Sequence, residues 1–170
     1  MPSVLFVCTA NRFRSPLAAA LLERKLQELG LAESWNIGSA GIWADRGQPA
    51  LPQVSDAAQR SNLDLSRHRS ARVSEKLLAQ YDLILVMQAS QKEALLTEYP
   101  HLHERIYLFS NVVERRTYDI TDSVGSERET AQLLSELDWL IQRGLESICI
   151  LATSLHNTRR NSDHLNAQNL

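Results

Sequence analysis

The 170-residue chain is 44% hydrophobic and 22% charged, has a net charge of −2 and holds two cysteines, Cys8 and Cys149. That composition suits one globular domain with a full core, and the near-neutral charge excludes a global basic field for nucleic acid or an anionic membrane. The apolar run at residues 4–7 is too short for a signal peptide or a membrane span, so a cytoplasmic location is expected, and two isolated cysteines make neither a structural disulfide nor a zinc site.

Residues 4–7 read as a short buried strand. After Pro16, residues 17–29 carry Leu22, Leu26 and Leu29 on one face, a helix with proline in its first turn and Gly30 at its end. Residues 35–39 form a second strand, and residues 41–52, with two glycines and two prolines, a long surface loop. A helix is expected over 54–63, then a polar, basic loop at 64–70. Ser74 is placed to cap a short helix that runs to residue 80. Residues 83–87, all apolar, are the clearest buried strand. A helix over 90–99 stops at Pro100, and residues 105–109 form a fourth strand. A polar stretch, 111–126, precedes a last helix in which Leu133, Leu137, Leu140, Ile141, Leu145 and Ile148 recur at helical spacing. The polar residues 156–170 read as a disordered tail to a single domain at 1–155.

Continuously apolar strands that alternate with helices imply an α/β, three-layer fold: a four-stranded parallel sheet, doubly wound, with helices on both faces. Ligands of such sheets bind beyond the carboxyl ends of the strands. There lies Cys8-Thr9-Ala10-Asn11-Arg12-Phe13-Arg14-Ser15. A tight loop between strand and helix turns its amides toward one point and makes an anion site. Arg14 adds a planar fork for two phosphate oxygens. Cys8, facing that positive potential, is favoured as a thiolate and can attack phosphorus. The Ser15 hydroxyl can donate to the sulfur as it leaves.

This stretch resembles the loop of the low-molecular-weight protein tyrosine phosphatases, C-x-G-N-x-C-R-S-P, and the resemblance reaches to about Leu145. Ser39-Ala40-Gly41 is similar to the family's S-A-G, residues 64–70 to its H-R-S/A segment, and residues 81–87 to its third strand. The resemblance implies a two-step phosphomonoesterase with a phosphocysteine intermediate, a phosphorylated protein or small phosphate ester as substrate, inorganic phosphate as product, and no metal or cofactor. It implies that Asn11, Ser39 and His68 brace the loop. It places the general acid at Asp122, with Asp119 as the fallback.

Four departures stand out. Phe13 occupies the position of the family's second cysteine, which protects the nucleophile from over-oxidation. Ala10 replaces the loop glycine and would be strained by about 1 kcal/mol if that position has positive φ. Arg12 sits at the pocket rim, where the family is apolar or small. Ser123 and Val124 stand where the proline and the aromatic residues after the acid are expected, leaving Trp43 and Tyr118 to flank the substrate. Two rivals remain open: a phosphate- or phosphotyrosine-binding protein with little turnover, and an arsenate reductase, which would need more cysteines than Cys149.

Overall fold

The computed structural model describes residues 1–122 and 126–168. Strands β1 (Ser3–Cys8), β2 (Asn36–Gly41), β3 (Leu83–Val86) and β4 (Ile106–Leu108) form one parallel sheet in the order β2-β1-β3-β4. β1 and β3 are buried along their whole length because both faces are covered. Successive side chains alternate between the two layers. Val4, Phe6, Cys8, Leu83, Leu85 and Met87 enter the larger core, while Leu5, Val7, Ile84 and Val86 enter the smaller.

Helices α1 (Arg14–Glu28), α2 (Pro52–Arg60), α5 (Phe109–Glu114) and α6 (Glu127–Gln168) line the larger core, and α3 (Glu75–Leu78) and α4 (Ala89–Glu98) lie on the smaller. Leu17, Leu21 and Leu22 of α1 are completely buried, each contributing about 1.5–3 kcal/mol of transfer free energy. Ser74 caps α3 as expected, its hydroxyl accepting from the Leu77 amide. The strand order steps from β1 to β2 on one side and to β3 on the other. A crevice therefore opens between the carboxyl ends of β1 and β3, and Cys8 ends β1 there.

Two expectations change. The polar stretch after β4 is not all loop, because Val112 and Val113 pack α5 against the core. Residues 156–168 are not a disordered tail: α6 continues through them. Its polar sequence conceals an anchor. The buried Asp82 carboxylate accepts from Ser3, from Arg159 Nη1 at 2.7 Å, and pairs with His156 Nδ1 at 3.1 Å. An ion cluster at the amino end of the sheet thus holds the helix where apolar side chains run out. No described helix is long and apolar enough to cross a membrane.

Candidate active site

The loop from Cys8 to Ser15 wraps around its own first residue. Cys8 Sγ lies 3.0 Å from Ser15 Oγ and accepts from the Asn11 amide at 3.3 Å. Ser15 has one hydroxyl proton and two acceptors within reach, the sulfur and the Ala40 carbonyl at 3.2 Å. A thiolate is the stronger attraction for that proton. The Ser15 oxygen meanwhile accepts from Asn11 Nδ2 at 2.9 Å, which leaves its proton free to turn.

Asn11 organises the loop. Its Nδ2 also donates to Ser39 Oγ at 2.9 Å, its Oδ1 accepts from the Ala71 amide at 2.8 Å, and its carbonyl accepts from His68 Nε2 at 2.7 Å. That last bond requires the proton on Nε2. Burial holds His68 below the ordinary histidine value, with Arg69 pushing the same way against the Asn11 carbonyl, so the neutral ring serves here. Ser39 and His68 therefore both converge on Asn11.

Asn11 is also the loop residue with positive φ, at 56°. Ala10 is not, and the strain anticipated there is absent. The left-handed turn falls on asparagine, which tolerates it better than other non-glycine residues. The close approach that needs glycine is instead made by Gly41, at the end of β2. A Cβ on Gly41 would lie 2.6 Å from the Thr9 carbonyl and 2.8 Å from the Asn11 amide.

Arg14 opens α1 and is only 1% exposed. Its Nη1 donates to Gln88 Oε1 and to the Ile120 carbonyl, both at 2.9 Å; its Nη2 donates to Thr9 Oγ1 at 3.3 Å and to Asp122 at 2.6 Å. Its Nε, also buried, has no partner among the described residues, and neither have the amides of Ala10, Arg12 and Phe13. The buried Nε is costly without an acceptor unless a ligand satisfies it, and the amides of the more open loop are free to bind the same ligand. One anion, seated over Cys8, suits this set.

Asp122 reaches Arg14, whereas Asp119 is engaged elsewhere, its Oδ1 accepting from the Ala89 amide at the start of α4 at 2.8 Å. Asp119 thus satisfies a helix end. Ser123 and Val124, where the acid's usual neighbours are replaced, lie outside the described residues. Trp43 is 70% exposed and its amide donates to the Thr9 carbonyl, so its backbone lies against the loop. Tyr118 does not flank the site with a free ring. It packs on the larger core, and its hydroxyl donates to Glu114 at 2.6 Å, burial and that contact holding it above the usual tyrosine range. Arg12 is tied back to the Pro49 carbonyl at 2.9 Å, and Phe13 is buried in the core.

Gln88 and Gln91 carry part of the site and were not anticipated. Gln91 is 5% exposed; its Oε1 accepts the amides of Met87 and Gln88, and its Nε2 donates to Gln88 Oε1 and Thr9 Oγ1. The pair braces Arg14 from the end of β3. Their position directly after the strongest apolar run was the available signal. Its meaning depended on β3 pairing beside β1.

A buried free cysteine, a buried guanidinium and unpaired amides at a sheet's switch point suit phosphoryl transfer through cysteine, the chemistry of the cysteine-dependent phosphatases. The family model described as low molecular weight phosphotyrosine protein phosphatase matches residues 3–158, and the chain belongs to that family. It is 31% identical over 145 residues to a Ralstonia nicotianae protein named "Probable low molecular weight protein-tyrosine-phosphatase EpsP", covering 85% of this chain and 92% of that one. It is 28% identical over 158 residues to the protein-arginine-phosphatase of Bacillus subtilis, covering 92% and 99%. Among solved structures, the low molecular weight protein tyrosine phosphatase from T. tengcongensis superposes with a TM-score of 0.80 at 32% identity, covering 86% of this chain and 99% of that one.

Proposed function

We propose that this phosphatase hydrolyses phosphotyrosine in proteins, with Cys8 as nucleophile, Arg14 as phosphate clamp and Asp122 as general acid and base. The observation that carries the reading is the buried Arg14, with its unpartnered Nε, at the far end of the loop that starts at Cys8. The phosphoryl group displaces the Asp122 carboxylate from Arg14 Nη2 and takes up the unpaired loop amides. The Cys8 thiolate forms the S–P bond as the P–O bond to the tyrosine oxygen breaks. Protonated Asp122 gives its proton to that oxygen. In the second step water attacks phosphorus, Asp122 takes the water's proton, and the S–P bond breaks. Ser15 donates to the departing sulfur, and inorganic phosphate leaves. Thr9, Ala10, Asn11, Arg12, Phe13 and Ser15 form the cradle, and Ser39 and His68 hold Asn11. Trp43 is the aromatic wall. No step calls for a metal or a cofactor.

The Bacillus relative is named a protein-arginine-phosphatase, which makes phosphoarginine the rival substrate. Here Arg12 stands on the rim, and its guanidinium repels another one. The test is turnover of p-nitrophenyl phosphate and of phosphotyrosine, phosphoserine and phosphoarginine peptides by wild type and Cys8→Ser. Turnover of phosphotyrosine by wild type alone is expected. Equal activity in Cys8→Ser refutes the nucleophile, and a preference for phosphoarginine refutes the substrate.

A further inference from the structure

Five arginines stand in the segments that frame one side of the phosphate loop. Arg12 is in the loop itself. Arg67 and Arg69 flank His68, which bonds the Asn11 carbonyl. Arg72 pairs in a β-bridge with Gly41, against which the loop backbone packs. Arg46 precedes Gly47, whose amide donates to the Ser70 carbonyl, while the Ser70 amide donates back to Gln48. Residues 42–51 and 64–72 are thereby stitched together beside the active site. Those segments hold two carboxylates, Asp45 and Asp64. None of the five arginines is ion-paired with a carboxylate among the described residues. Arg46, Arg67, Arg69 and Arg72 are exposed.

This positive rim belongs to a chain in which 20 acidic residues outnumber 18 basic ones. A surface that binds nucleic acid or membrane in general is expected to carry its positive charge more widely. Here exposed arginines are concentrated on two segments that are stitched together and bonded to the phosphate loop through His68 and Gly41. We infer that the Arg46, Arg67 and Arg72 rim selects phosphopeptides whose residues flanking the phosphorylated side chain are acidic. The inference rests on the phosphatase reading and names the substrate class of the same site. Long-range attraction raises the encounter rate, and short-range pairing holds the flanking carboxylates. Exposed pairs are individually weak, so the preference depends on several arginines acting together.

The test uses phosphotyrosine peptides identical except for acidic or neutral flanks, with wild type and an Arg46→Gln/Arg67→Gln/Arg72→Gln variant. Wild type is expected to favour the acidic peptide by roughly tenfold in kcat/KM at low salt, chiefly through KM, with the preference fading as salt shortens the Debye length. The variant should lose the preference and keep its rate on p-nitrophenyl phosphate, which has no flanks. Binding of the same peptides to Cys8→Ser protein reads the preference without turnover. If the phosphatase reading failed, p-nitrophenyl phosphate hydrolysis would be lost while this binding preference stood. Equal handling of both peptides by wild type overturns the inference, as does a preference that survives in the variant. Wild-type retention on anionic vesicles, lost in the variant and without any peptide preference, overturns it in favour of a membrane surface.

Discussion

Replacing Asn11 by alanine removes three side-chain hydrogen bonds, to Ser15, Ser39 and Ala71, and leaves a residue with a Cβ at φ 56°. Each bond is worth about 0.5–1.5 kcal/mol and the left-handed backbone costs alanine about 1 kcal/mol, so the loss is about 3–5 kcal/mol. Water reaching the half-buried Ala71 amide moves the result toward the lower end. With a urea slope of about 2–3 kcal/mol/M for a chain this size, the unfolding midpoint should fall by about 1–2 M. Asn11→Gly loses the same bonds without the conformational penalty and should be about 1 kcal/mol more stable than Asn11→Ala. In both variants Ser15 loses its donor and the loop its brace, so kcat should fall about 10- to 100-fold. Urea titrations and p-nitrophenyl phosphate kinetics on the three proteins check this. An Asn11→Ala protein within about 0.5 kcal/mol of wild type, or one with unchanged kcat, would refute the reasoning.

Asp122→Ala should lower kcat on a phosphotyrosine peptide by about 10²–10³-fold, and by less on p-nitrophenyl phosphate, whose leaving group needs a proton less. Asp119→Ala should keep kcat and lose about 1 kcal/mol, as removal of a helix-end acceptor does; the opposite outcome would exchange their roles. In Gly41→Ala the new Cβ meets the backbone of Thr9 and Asn11, which cannot give way locally, so kcat should drop about tenfold or more, measured alongside circular dichroism to separate loop distortion from unfolding. His68 should make stability depend on pH. Because burial keeps it neutral in the fold, the unfolded chain binds more protons as pH falls through the ordinary histidine value of about 6.5. The His68 contribution is complete above that value and diminishes below it. The urea midpoint should therefore decline more steeply from pH 7.5 to about pH 5.5 in wild type than in His68→Gln, and parallel profiles would contradict this assignment.

The four strands and the helices other than α5 and the end of α6 were legible because each is a local pattern. The apolar run at residues 4–7 and the cluster at 83–87 each identify a strand without reference to anything distant. Cys8 and Arg14 were equally legible, since a phosphate loop is built from eight contiguous residues between a strand and a helix. Asn11, Ser39 and His68 were found only through resemblance to a family, because they lie 28 and 57 residues apart and nothing local joins them. Asp122 was preferred over Asp119 only through that same resemblance, because what distinguishes them physically is which one reaches Arg14 and which one the start of α4.

The chain's own order of residues thus determined the loop from Cys8 to Ser15, with its cysteine and its guanidinium, and the doubly wound class, since hydrophobic periodicity and short-range turn geometry act within a few residues. Tertiary structure alone decided the rest. It put the left-handed turn at Asn11 rather than Ala10, brought Gln88 and Gln91 at the start of α4 to brace Arg14, turned Tyr118 toward Glu114, and carried α6 past residue 155 by anchoring His156 and Arg159 on Asp82. Each depends on which strand lies beside which, and that is set by the burial of both sheet faces at once, a property of the whole chain rather than of any segment.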